Sequence, residues 1–176
     1  SRPLHVFDVS KLAGELTVRK AREDENIIAL DGSKYDLSSE DTVICSGNFV
    51  ESIAGIMGGL NSGCKVNTTD IFIESAYFDP IATAKTGRRL KINSDARYRF
   101  ERGVDPHFVK TGIDFATHLI LEICGGEVSE ILIEGKVPDA HKELTLRHNR
   151  VKSLAGMSIP ISEQEHILQA LGFEVS

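Results

Sequence analysis

Three cysteines in 176 residues, Cys45, Cys64 and Cys124, are too few and too unevenly spaced to staple a fold. An odd number with no paired short spacing argues against a disulfide framework or a cysteine-rich zinc site, and fits reduced thiols in a cytoplasmic protein. Six histidines are scattered, and none stands in an HExxH or Cys/His ligand arrangement, so no metal is expected. No GxSxG, no Cys–His pair in a recognisable setting and no P-loop occurs, which leaves no evident nucleophile and no phosphate-cradling loop. No apolar run approaches the roughly 20 residues of a membrane-spanning helix. The opening Ser1-Arg2-Pro3-Leu4-His5 has no signal-peptide architecture and reads as a chain already in progress, part of a longer protein.

What the chain does have is an ordinary globular composition, 41% hydrophobic and 26% charged, in a length able to bury a core. The net charge of −6 argues against nucleic acid binding over the whole surface. One window differs. Lys85 to Arg102 holds seven basic residues and two acids, a local +5 that leaves −11 on the rest. Such a stripe suits one anionic contact at one place, and it equally suits arginines paired with acids elsewhere in the fold.

The first half reads as strands. Glu15–Arg19 and Ile27–Leu30 show the strand pattern, Asp31-Gly32 signals a tight turn, and Lys34–Leu37 returns as a hairpin partner. Thr42–Cys45, Ser52–Met57 and Ile71–Ala76 are further strands. Helices follow. Asp79-Pro80 and Asp105-Pro106 each pair an N-capping carboxylate with a proline at the first helical position. After the second, Phe108, Val109, Ile113, Ala116, Leu119, Ile120 and Ile123 form a helical apolar stripe closed by Gly125-Gly126. Val128–Ile133 reads as a strand, Leu144–Leu146 as a short strand, and Asn149–Leu154 as a helical turn. Ser162 to Glu165 reads as a capping box opening a helix through Leu171. The fold class is α+β: a strand-rich N-terminal half with mixed sheets packed by later helices, then part of a small winged-helix-like unit.

Two features point to chemistry. Gly55, Gly58 and Gly59 lie in and after an apolar strand, where glycine marks a bulge, a packing contact or a close backbone approach. Glu74 sits among Ile71, Phe72, Ile73 and Ala76, so its carboxylate should be buried and must find either a salt bridge or a polar ligand. An acceptor that inspects a hydroxyl can discriminate strongly against an analogue lacking it. His5, flanked by Leu4, Val6 and Phe7, is a core histidine or a site residue.

RPLHVFD (Arg2–Asp8), LDG (Leu30–Gly32), AGIMGG (Ala54–Gly59), ESAYFDP (Glu74–Pro80), SDARYRFERGVDP (Ser94–Pro106) and CGGE (Cys124–Glu127) occur in this order. Together they resemble the β subunit of bacterial-type phenylalanyl-tRNA synthetases. The resemblance implies a central editing module over residues 1–138, its N-terminal part missing, and the start of a winged-helix-like module over residues 141–176. It also implies hydrolysis of tyrosine wrongly attached to tRNA(Phe), away from an aminoacylation site on the α subunit. Carried over by position, Glu74 would read the tyrosine hydroxyl and His5 would hold the substrate end or a water. Gly55 and Gly58 would leave room for the ring, and Ala96 would line the pocket. Arg88, Arg89 and Lys91 are candidate RNA contacts. Partners would be tRNA(Phe), the tyrosyl ester and the α subunit in an α2β2 assembly. No cofactor is expected in this stretch, whereas the full enzyme would use ATP and Mg2+. The competing reading is a non-catalytic scaffold of the β subunit that docks tRNA through the basic stripe.

Overall fold

The computed structural model describes residues 3–138 and 142–176. The chain divides into two compact units, Ser1–Pro138 and Asp139–Ser176. Arg2 and the expected module start at His141 lie outside the described residues.

The first unit holds eight strands in its first 74 residues: β1 His5–Asp8, β2 Leu16–Lys20, β3 Asn26–Ile28, β4 Lys34–Asp36, β5 Thr42–Ser46, β6 Phe49–Ile53, β7 Met57–Gly58 and β8 Ile71–Glu74. They pair as β1-β8, β2-β5-β6-β7 and β3-β4, all antiparallel. β5 explains why the sheets cohere. Val43 and Cys45 point into one apolar cluster with Ile27, Ile53 and Ile56, while Ile44 between them joins Phe7 and Ala54 in another. Alternation along a strand thus feeds two cores from one element. Asp31-Gly32 turns the β3–β4 hairpin as expected, with Gly32 at φ +80°.

The segment expected as one strand, Ser52–Met57, is instead a hairpin. β6 ends at Ile53, the Ile56 N–H donates to the Ile53 carbonyl at 3.0 Å, and β7 returns from Met57. The apolar run concealed the turn, which Gly55 makes possible by taking φ +70° at the position where a β-turn needs it.

Three helices complete the unit: α1 Pro80–Arg89, α2 Asp95–Phe100 and α3 Phe108–Cys124. Asp79 caps α1 through the Ala82 N–H at 2.7 Å, as its sequence signal implies. α2, which the apolar pattern does not announce, starts at Ser94, whose hydroxyl oxygen accepts from the Arg97 N–H at 3.0 Å. Asp105-Pro106 does not open α3. The Asp105 carboxylate accepts from the His107 N–H at 2.9 Å in a local turn, and the helix begins two residues beyond Pro106. The α3 stripe is also less buried than its periodicity implies. Ala116 alone is buried, while Phe108, Leu119 and Ile123 are exposed. Val128–Ile133 forms no strand: no described strand lies beside it to complete a ladder.

The second unit contains α4 His148–Ala155 and α5 Ile161–Ala170. Leu144–Leu146 belongs to no strand among the described residues, so the expected strand is absent. The capping box is absent too. α5 starts at Ile161, so Ser162 is already inside the helix, and the Pro160 carbonyl accepts from the Glu163 and Gln164 N–H groups.

Candidate functional site

β1 and β8 place His5 directly opposite Glu74 in an antiparallel pair, where cross-strand partners project from the same face. The β6–β7 hairpin approaches that face with Gly58. A side chain there would collide with a ring: a Cβ on Gly58 would lie 2.1 Å from Cε1 and 2.6 Å from Nε2 of His5. The room expected over Gly58 for a ligand ring therefore holds the His5 imidazole. That ring also meets the edge of Phe7, centroids 4.4 Å apart at 82°. Gly55 serves a similar purpose for two phenylalanines. A Cβ on it would lie 2.9 Å from Phe78 Cδ2 and 3.4 Å from Phe100 Cδ2.

The ends of the elements are tied in place. Ser94 Oγ donates to the Ile56 carbonyl at 2.6 Å, which fixes the start of α2 against the hairpin turn and brings Ala96 to the site. Ser75 Oγ donates to the Val109 carbonyl at 2.8 Å, anchoring α3 one residue beyond Glu74. The result is a cleft whose walls include His5, Gly55, Gly58, Glu74 and Ala96. All five sequence-derived pocket residues thus line one opening. Ser52, Phe78 and Phe100 line it as well. No sequence pattern marks them as site residues. The phenylalanines fall within the quoted motifs but look like ordinary core, and Ser52 carries no pattern of its own.

The electrostatics of the cleft are unusual. Glu74 Oε2 and His5 Nε2 are buried and neither has a hydrogen-bond partner. Burial pushes the Glu74 carboxyl up to about 7 and holds the imidazole of His5 below its ordinary value. No salt bridge engages Glu74 among the described residues, so the arginines downstream do not account for its burial. An acceptor and an imidazole, both orphaned and facing one apolar-walled cleft, are groups that a polar ligand would satisfy.

Four of the seven basic residues in the stripe, Arg89, Arg97, Arg99 and Arg102, are paired within the fold. Arg89 is held by the buried Asp41 and donates to the Asp36 carbonyl at 3.2 Å. Arg97 pairs with Glu101 at 3.0 Å and donates to the Gly87 and Ile92 carbonyls at 3.2 and 2.6 Å, clamping α1 to α2. Arg99 pairs with Asp95, and Arg102 pairs with Glu101 and stacks 3.7 Å over the Tyr98 ring. Arg88 and Lys91 are exposed, and no ion pair engages them among the described residues. Among the described residues no group of three or more His, Cys, Asp or Glu side chains could hold a metal ion. No described helix is long and apolar enough to cross a membrane.

Comparison with known proteins agrees with the motif order. The chain is 54% identical over 173 residues to the phenylalanine–tRNA ligase beta subunit of Cereibacter sphaeroides, covering 98% of this chain and 22% of that protein. It is 51% identical over 175 residues to the protein of the same name from Paramagnetospirillum magneticum, again 22% of its length. The chain therefore spans about a fifth of these relatives. A family model described as the B3/4 domain matches residues 1–125, and the chain belongs to that family.

Proposed function

We propose that the cleft is the proofreading site of a phenylalanine–tRNA ligase β subunit, hydrolysing tyrosine misattached to tRNA(Phe). The observation that carries this reading is the buried, unpartnered Oε2 of Glu74 in a cleft whose walls include Phe78, Phe100, Ile56, Met57 and two glycines. A tyrosine hydroxyl would donate to that oxygen, whereas phenylalanine would leave it unsatisfied, and such a difference is strongly discriminating. His5 Nε2, the second orphaned atom, would hold the ester end or the attacking water. In the reaction the water oxygen bonds to the ester carbonyl carbon, the bond to the ribose oxygen breaks, and the water proton passes to that oxygen. Catalysis would rest on positioning, since an aminoacyl ester is already labile.

The partners follow from the same reading: tRNA(Phe), with exposed Arg88 and Lys91 as backbone contacts, and the α subunit in a cytoplasmic α2β2 enzyme. The ligation reaction, with its ATP and Mg2+, runs through none of the residues described above. Narrowing the cleft tests the proposal. In the intact synthetase, Ala96→Trp should let tyrosyl-tRNA(Phe) accumulate while phenylalanine charging continues. Normal clearance of the tyrosyl ester by a folded Ala96→Trp enzyme would exclude the cleft as the site.

A further inference from the structure

Next to the cleft lies a second, smaller pocket, walled by Thr42, Ala54, Phe78, Asp79, Ala82 and Thr83. Phe78 lines both spaces. Its ring is held on two sides, by the missing Cβ of Gly55 and by an edge contact to Phe100 with centroids 5.2 Å apart at 66°. Its backbone is fixed as well, because the next residue, Asp79, caps α1. Of the hydroxyls around the second pocket, Thr83 Oγ1 donates to the Asp79 carbonyl at 2.9 Å, Thr86 Oγ1 donates to Asp41 at 2.8 Å, and Thr42 Oγ1 accepts from Lys20 Nζ at 3.2 Å. Ala54, Ala82 and Phe78 give this pocket an apolar side against which added bulk can rest.

From these contacts we infer that Phe78 is a specificity-determining residue, the partition that sets how large an aromatic side chain the cleft admits. This rests on the reading of the cleft as a site for tyrosyl ester. Removing the ring joins the two spaces, and a ring substituent too large for the parent cleft then has somewhere to go. Glu74 reads the phenolic hydroxyl of both esters, so the comparison between them isolates the size of the ring.

The test uses the intact synthetase and tRNA(Phe) charged chemically with tyrosine or with 3-iodotyrosine, which keeps the hydroxyl and adds bulk at its side. The parent enzyme should clear the tyrosyl ester about tenfold faster than the iodotyrosyl ester. Phe78→Ala should largely abolish that preference by speeding iodotyrosyl clearance. Adding Ala82→Leu, which refills the second cavity, should restore the preference, a result that general loosening of the fold would not give. Should Phe78→Ala fail to fold, Phe78→Leu is read in the same way, with a smaller change expected. An unchanged ratio in the folded variant overturns the role of Phe78 and leaves the editing proposal standing. Failure of the parent enzyme to clear the tyrosyl ester overturns the editing proposal itself, and this inference with it.

Discussion

The imidazole of His5 occupies the space in which a side chain on residue 58 would begin, its Cε1 2.1 Å from where a Gly58 Cβ would stand. Glycine at 58 is therefore a condition for the position of His5. Gly58→Ala must move either the ring or the hairpin, at a cost of about 1–3 kcal/mol. Thermal unfolding should show that loss, and tyrosyl-tRNA(Phe) deacylation by the intact enzyme should fall. Full activity at parental stability would mean that the ring has no fixed place in the reaction.

Glu74 gives the cleft a pH signature. Its carboxyl keeps its proton up to about pH 7 in the folded chain, against an ordinary value of 4.5. Between those values the folded state binds more protons than the unfolded state, so stability falls as pH rises through the window. Glu74→Gln does not titrate and lacks that slope. Denaturant unfolding at several pH values should show the variant gaining on the parent from pH 4.5 towards 7; parallel curves would mean that the carboxyl is not desolvated.

Arg97 is a structural arginine. It joins Glu101 to the carbonyls of Gly87 and Ile92, and a Cβ on Gly87 would lie 2.3 Å from its Nε. Arg97→Ala should destabilise the unit by about 2–3 kcal/mol, since it leaves partly buried acceptors unpaired. Denaturant unfolding measures this directly, and tRNA affinity should hold in whatever fraction remains folded.

Arg88 and Lys91 should behave in the opposite way. Replacing both with alanine should leave unfolding unchanged and lower the slope of log affinity for tRNA against log salt by roughly 1 to 2. An unaltered slope would remove them from the RNA interface.

The contrast between Arg88 and Arg97 shows what the sequence could and could not convey. The run of positive charge was visible, but which arginine meets an acid depends on how α1 and α2 pack. The cleft was more legible. Glu74 declared itself by standing in an apolar strand, and His5, Gly55, Gly58 and Ala96 followed from ordered motifs; all five line one opening. Their roles were harder to read, because Gly58 accommodates a protein ring, a relationship between residues 53 positions apart that no local pattern records. Strands were legible where alternation met a turn signal, as in β3–β4. They were misjudged where a partner was lacking, as at Val128–Ile133, or where a glycine turn hid in an apolar run, as at Gly55. The α3 stripe was correct in period and wrong in burial, since periodicity marks an apolar face without showing what covers it.

In the proposed reaction the unpartnered oxygen of Glu74 receives the tyrosine hydroxyl. The most direct measurement is single-turnover deacylation of tyrosyl-tRNA(Phe) by the intact synthetase with and without Glu74→Ala. Loss of one hydrogen bond to this group should slow hydrolysis about ten- to a hundredfold, with phenylalanine charging unaffected. Equal tyrosyl deacylation rates in a folded Glu74→Ala enzyme and its parent would contradict the account.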